Sequence, residues 1–376
     1  MKYRKLGKTG EEVSILGFGC MRFPQKDEKI DEEKSLKMIR YAIDNGVNYI
    51  DTAYPYHNGE SEIFLGKALK DGYREKIKLA TKLPSWAVNK REDMDKFINE
   101  QLKKLQTNQI DFYLIHSLNK EDYGRLKENG LFDFIRSIKE EKLVKYVGFS
   151  FHDTLDVFKY IIDDYEWDFV QIQYNYIDEK YQAGTEGLLY AHNKGLGVII
   201  MEPLRGGALV NNLSGEIKSI IKNAPIKKNA VEWAFKFLYD KEEISVVLSG
   251  MSSLEQVIDN IKAANSQGDA NLMTKFEKQI IEELSKEFKS KIKVNCTGCK
   301  YCLPCPKGVQ IPLCFELLNS SSMFNDIKKA KDMYHGFLVS EGSDASNCGE
   351  CGACEQKCPQ HINIVEKLKE VRELFE

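Results

Sequence analysis

The chain has 376 residues, 42% of them apolar and 30% charged, with a formal net charge of -3. That length holds one large domain plus a small one, and the faintly acidic balance carries no electrostatic footprint for nucleic acid or an anionic membrane. No apolar run approaches the ~20 residues that cross a bilayer, and Met1 to Gly10 lacks a signal-peptide core, so a cytoplasmic protein is expected.

The first apolar run, 13–18, reads as a strand ending in Gly19-Cys20-Met21. A helical period from Glu32 to Asp44 follows, closed by Asn45-Gly46. The alternation then repeats. Strands are predicted at 49–53, 77–83, 110–116, 146–151, 169–175, 197–202 and 244–249. Helices are predicted after them at 60–70, 91–106, 131–141, 154–162, 185–194, 227–240 and 253–264. Eight such pairs in roughly 265 residues match the ~250 of a (β/α)8 barrel. A doubly wound open sheet is the competitor, but no GxGxxG follows a strand. One more amphipathic helix, 272–288, leads out of the barrel. Beyond it come a short apolar segment (309–318), a polar Asn319-Ser320-Ser321-Ser322 link, a helix over 323–338, and an amphipathic terminal helix.

Three of the strands end in ionisable residues. Asp51 lies where Pro55 stops the second strand, Lys82 near the end of the third, and His116 at the end of the fourth, with Tyr56 in the loop after Asp51. Side by side and parallel, these strands bring the four groups to one mouth of the barrel, where such folds place active sites. Reducing a carbonyl takes a hydride on carbon and a proton on oxygen. A phenol, pKa ~10 when unperturbed, becomes a better acid beside a cation. A paired aspartate fixes that cation, and an imidazole orients the carbonyl. Singly, each residue reads as a structural ion pair or a satisfied buried histidine. Together, in this order, they form a proton-delivery set.

Asp51-Thr52-Ala53-Tyr54-Pro55-Tyr56, Thr81-Lys82 and Leu114-Ile115-His116-Ser117 resemble the three catalytic segments of the aldo-keto reductase superfamily, and the resemblance covers residues 1 to about 290. It implies Tyr56 as general acid rather than Tyr54, Lys82 and Asp51 as its tuners, and His116 as the group that orients substrate. It also implies NADP(H), with NADH open, held on the barrel's upper face. Ser150 and Gln173 resemble the carboxamide contacts, and Phe151 stands where many members have Asn. Met201 takes the place of the nicotinamide platform, followed by Pro203, Leu204 and the glycines Gly206-Gly207. Gly19 and Met21 after the first strand, and Asp51 itself, complete the nicotinamide side. Gly250, Ser252, Gln256 and Asn260 resemble the adenosine-phosphate segment, where a helix start suits an anion. No arginine lies in that segment, which weakens a 2′-phosphate preference. His57 and His152 sit on strand-exit loops and Trp86 follows Lys82, so each is a candidate pocket wall or loop anchor.

Nine of the ten cysteines lie between Cys296 and Cys358. Clustering at CxxC spacing after a cysteine-poor domain argues for metal rather than a disulfide scaffold. Cys348, Cys351, Cys354 and Cys358-Pro359 form the C-x2-C-x2-C-x3-C-P run of bacterial ferredoxins; Cys296, Cys299, Cys302 and Cys305-Pro306 depart from it by one residue in the last gap. Zinc ribbons are the alternative. This tail looks like the ferredoxin-type domain found on one branch of the aldo-keto reductases. That analogy gives Cys296, Cys299, Cys302 and Cys358 to one [4Fe-4S] cluster and Cys348, Cys351, Cys354 and Cys305 to another, one or two being bound and two favoured. Cys20 and Cys314 fit no motif.

The reading is a (β/α)8 TIM barrel over 1–290 with a small C-terminal α-helical ferredoxin-like iron–sulfur domain over 291–376. Its expected activity is NAD(P)H-dependent interconversion of a small carbonyl compound and an alcohol. The clusters exchange electrons with a protein partner or staple the small domain. A redox-sensing protein whose barrel holds cofactor without turnover is the alternative from another class.

Overall fold

The computed structural model describes residues 1–296, 298, 302–358 and 360–376. They form two compact units, residues 1–206 with 231–275 and residues 207–230 with 276–376.

The first unit is a closed barrel of eight parallel strands, each hydrogen-bonded to its sequence neighbours and the last to the first. They are β1 (Leu16–Gly19), β2 (Tyr49–Asp51), β3 (Lys78–Pro84), β4 (Ile110–Leu118), β5 (Val144–Phe151), β6 (Phe169–Gln173), β7 (Gly197–Met201) and β8 (Val246–Gly250). The helices between them are α1 (Glu32–Asp44), α2 (Glu60–Ala68), α3 (Arg91–Leu105), α4 (Lys120–Glu128), α5 (Leu131–Glu140), α6 (Leu155–Asp164) and α7 (Gly184–Asn193). After β7 come α8 (Gly215–Asn223) and α9 (Ala230–Tyr239), and after β8 comes α10 (Leu254–Gln267). Because strand side chains alternate, the even-numbered residues of β3 and β4 and the odd-numbered ones of β2 and β6 share the interior. Tyr49, Ala80, Phe112, Leu114, Phe169, Ile199, Val246 and Leu248 fill it. A short hairpin, Tyr3–Lys5 against Glu12–Ser14, adds Leu6 and Val13 to that cluster at the end where the strands begin.

Two differences from the sequence reading have clear causes. Residues 13–18 divide between the hairpin and β1, because Ile15 passes from one pairing to the other. The predicted helices also omit α4 and α8. In α4 only Tyr123 and Leu126 are buried, too few to give a periodic signal, although the Asn119 side chain accepting from the Asp122 N–H is a regular start.

The second unit gathers α8 with α11 (Lys275–Lys289), α12 (Ile311–Met323), α13 (Ile327–Tyr334), α14 (Ala353–Gln356) and α15 (Ile364–Phe375). Its core joins Val309, Phe315, Leu318, Tyr334, Leu338, Leu368 and Phe375. The polar link expected at 319–322 is helical instead. Asn and Ser favour turns because they compete for backbone groups. Here Asn319 spends that capacity elsewhere, accepting from the Lys293 and Val294 N–H groups at 2.9 Å each and donating to the Val294 carbonyl at 2.8 Å. No helix among the described residues is long and apolar enough to cross a membrane.

Candidate functional site

Asp51 ends β2, in register with Ala80 of β3; Lys82, the next inward residue of β3, is in register with Leu114 of β4, two residues before His116. Each inward position thus lies one step further along the next strand, so the three side chains climb around the strand ends as a diagonal. Lys82 is wholly buried. Its Nζ donates to Asp51 Oδ1 at 2.6 Å and to the Thr52 carbonyl at 2.7 Å, and lies 5.1 Å from the centre of the Tyr56 ring. The Tyr56 and His116 rings are 6.2 Å apart and nearly perpendicular. The four predicted residues therefore share one site, and Tyr54 is turned elsewhere, its hydroxyl donating to Glu100 at 3.1 Å.

Burial opposes charge on the Lys82 ammonium, but Asp51 and Tyr56 together outweigh it and hold the lysine above its ordinary range. Burial raises the Asp51 carboxyl, with Lys82 pulling against it. The Tyr56 phenol differs from expectation. Burial, partly offset by Lys82 and reinforced by Asp51, keeps it above the usual value of 10. The lysine charge is shared with a carboxylate, so it returns less than desolvation of the phenolate takes. Tyr56 consequently keeps its proton at neutral pH, which suits an acid. Burial, then the Lys82 charge and His152, push His116 well below the ordinary 6.5, leaving a neutral imidazole with an unpartnered Nδ1.

Around these four, Trp86 is 46% exposed with its ring 5.1 Å from His116. The His152 ring meets Gln182 at 3.3 Å, and His57 is tied to Gln25 at 3.1 Å. Among the expected cofactor residues, Ser150 is buried and accepts from the Ser117 N–H at 2.7 Å. Phe151 turns outward to pack on Phe158 of α6, so it offers no polar contact to the interior. Gln173 is committed: its amide donates to Asp178 at 3.0 Å, an acceptor it shares with Asn175. Gln171, one inward step below, touches Met201 Sδ at 3.5 Å and leaves a buried, unpartnered carbonyl oxygen. Sequence reasoning missed it. Strand period put both glutamines on one face, and nothing along the chain announced that Asp178 folds back onto the second.

Met201 is half-buried, Pro203 buried and Leu204 half-buried, while Gly206 has a left-handed backbone at φ 64. Gly19 pairs with Gly250, whose face is covered by the stem of Arg22. Met21 is 56% exposed. At the start of α10, Ser253 caps the helix, Ser252 N–H donates to Gln256 Oε1 at 2.8 Å, and Asn260 donates to Ser249 at 3.0 Å. The 249–260 segment is thus held by its own side chains around a helix N-terminus.

In the second unit no described cysteine forms a disulfide. Cys296, Cys302, Cys305, Cys348, Cys354 and Cys358 lie partly buried against the same apolar core, Cys351 is exposed, and Cys299 lies outside the described residues. The Lys307 N–H donates to Cys305 Sγ at 3.4 Å. Among the described residues no three His, Cys, Asp or Glu side chains converge on one metal-ion position. The donor type, soft cysteine sulfur in two CxxC runs, suits iron–sulfur ligation. Cys20 and Cys314 are buried.

The Aldo/keto reductase family model matches residues 15–281, and that of the 4Fe-4S dicluster domain matches residues 295–362. L-galactose dehydrogenase of Arabidopsis thaliana is 30% identical over 285 residues, covering 70% of this chain and 88% of that protein. An uncharacterized oxidoreductase of Bacillus subtilis, YqkF, is 26% identical, covering 71% of this chain and 92% of its own. The solved structure of aldo-keto reductase AKR11C1 from Bacillus halodurans, in its holo form, superposes with a TM-score of 0.64 at 28% identity, covering 76% of this chain and 96% of that one.

Proposed function

The chain belongs to the aldo/keto reductase family and carries a 4Fe-4S dicluster domain, and from that premise we propose an NAD(P)H-dependent reductase of small aldehydes or ketones with Tyr56 as general acid. One observation carries the proposal: a buried ammonium, neutralised by Asp51 at 2.6 Å, lies under the ring of a phenol that faces a neutral imidazole. A nicotinamide, when bound, would supply the hydride for the carbonyl carbon. This chain's part is the proton: the Tyr56 hydroxyl gives it to the carbonyl oxygen as negative charge develops there, and Lys82 stabilises the phenolate left behind. His116, being neutral, aligns the carbonyl by hydrogen bonding without competing as the acid. In alcohol oxidation the same groups run in reverse.

For the cofactor, the observations support Gln171 over Gln173 as the amide that meets the carboxamide. A buried carbonyl oxygen without a donor is costly, and an incoming N–H would satisfy it. Ser150 and Met201 neighbour Gln171; with Pro203, Leu204, Gly19 and Met21 they are assigned to the nicotinamide side, and Gly206, Gly250, Ser252, Gln256 and Asn260 to the phosphates. Cys296, Cys299, Cys302, Cys305, Cys348, Cys351, Cys354 and Cys358 would hold two [4Fe-4S] clusters, which supply one-electron exchange or cross-link the second unit. The first role calls for an electron-transfer protein partner.

The test is NAD(P)H oxidation under anaerobic conditions with small aldehydes, ketones and, prompted by the name of the plant relative, aldoses. Tyr56→Phe should lower turnover by ~10²- to 10⁴-fold, the usual worth of a positioned acid. Equal rates in wild type and variant would remove this mechanism.

A further inference from the structure

Glu62 lies in the first turn of α2, just beyond the loop that bears Tyr56, and is wholly buried although it touches none of the four site residues' reactive groups. Its Oε1 accepts from Thr81 Oγ1 at 2.7 Å and from Gln101 Nε2 at 2.8 Å. Gln101, on α3 and equally buried, also donates from Nε2 to the backbone carbonyl of Lys82 at 2.9 Å and accepts from the Tyr113 hydroxyl at 2.8 Å. Thr81 precedes Lys82 on β3, and Tyr113 precedes His116 on β4. Both point to the outer face of the wall whose inner face carries the site. The segments bearing Tyr56, Lys82 and His116 therefore meet at one buried carboxylate–amide pair, Glu62 and Gln101, behind the barrel.

The chemistry of that hub is directional. A carboxylate only accepts, so Gln101 must turn its NH2 toward Glu62 and the Lys82 carbonyl and its oxygen toward Tyr113. The counter-cation is Lys104, whose Nζ is 3.6 Å from Glu62 Oε2 and 3.9 Å from the ring of Tyr54, in the same loop as Tyr56. An apolar residue of this volume would fill the space at lower electrostatic cost. It would not orient the amide.

We propose that Glu62 is a positioning residue for the catalytic set, fixing Lys82 beneath Tyr56 through Thr81 and Gln101. This rests on Tyr56 being the acid. A displacement of ~1 Å in a catalytic group is worth ~10²-fold in rate, so Glu62→Leu should lower kcat by about that factor, with KM for the carbonyl and Kd for NADPH changed only a few-fold. Glu62→Gln, which keeps the acceptor, should recover most of the loss. A second readout needs no turnover: in [13Cζ]tyrosine-labelled holoprotein, the Tyr56 resonance, assigned by its absence in Tyr56→Phe, should titrate at higher pH in Glu62→Leu than in wild type. Unchanged kcat per folded enzyme together with an unchanged Tyr56 titration overturns the proposal. Should Glu62→Leu fail to fold, Gln101→Met removes the same orientation from α3; a loss of kcat with a raised Tyr56 titration supports the proposal there too, and no change in either overturns it. A titration that moves while Tyr56→Phe turns over like wild type would sink the reductase reading and the catalytic sense of the role, while showing that Glu62 still fixes Lys82 beneath Tyr56.

Discussion

Lys82 is a buried ammonium whose partner Asp51 is almost as deeply buried. Removing one of such a pair strands the other charge at a cost of ~3–5 kcal/mol. Lys82→Met should therefore lower the barrel's unfolding free energy in urea by about that amount, and adding Asp51→Asn should return most of it while turnover stays low. If stability and activity recovered together, the pair would be architectural alone. His116 gives a pH test. Its folded value is depressed, so the folded protein binds this proton at lower pH than the unfolded chain does. The stability it contributes is present above the unfolded value of ~6.5 and is lost as pH falls through the lower folded one. Thermal melts between pH 7 and 5 should show a decline that His116→Asn flattens. Carbonyl reduction should stay level through pH 6.5, because the imidazole is already neutral there; an acid limb centred on that pH would contradict the assignment.

Elements constrain the site through close approaches that side chains alone do not reveal. Gly66 of α2 faces α3 so tightly that a Cβ there would stand 2.3 Å from the Lys104 carbonyl oxygen. Alanine is the better helix former by ~1 kcal/mol, yet Gly66→Ala should destabilise, because the two helices that carry Glu62 and Gln101 must separate. A raised melting temperature would show the contact to be softer than its geometry. The loop after β6 is fixed in a comparable way. Asp178 accepts from Gln173 and Asn175 and lies 3.4 Å from Arg205 Nε, which ties the exits of β6 and β7 together. That bond engages the Gln173 amide nitrogen, while the Gln171 carbonyl oxygen is buried without a hydrogen-bond partner. Gln171→Leu should weaken NADPH binding, measured by fluorescence titration, more than Gln173→Leu does; the opposite order would restore the expectation drawn from the sequence.

At the scale of the molecule, the second unit's core is bordered by the cysteines of the dicluster domain, six of which lie against it. Anaerobic chelation of the iron should then loosen this unit, read as amide exchange across α12, α13 and α15, while the barrel keeps its cofactor affinity. Full protection of those helices after iron removal would count against a stapling role. The alternation of strand and helix, the strand ends at Asp51, Lys82 and His116, and the paired cysteine runs were legible in the chain because they depend on local period and spacing, which sequence carries directly. The short helices α4 and α8, the helical fate of 319–322, the engagement of Gln173 by Asp178 and the hub at Glu62 were not. The last three depend on which distant group meets a polar side chain: Asn319 on Val294, Gln173 on Asp178, Glu62 on Thr81 and Gln101. The chain itself determined the barrel and the ionisable groups near its strand ends. The tertiary fold alone decided how those groups are held, since a buried hydrogen bond is specified by its partner, and the partner is chosen only when the chain closes on itself.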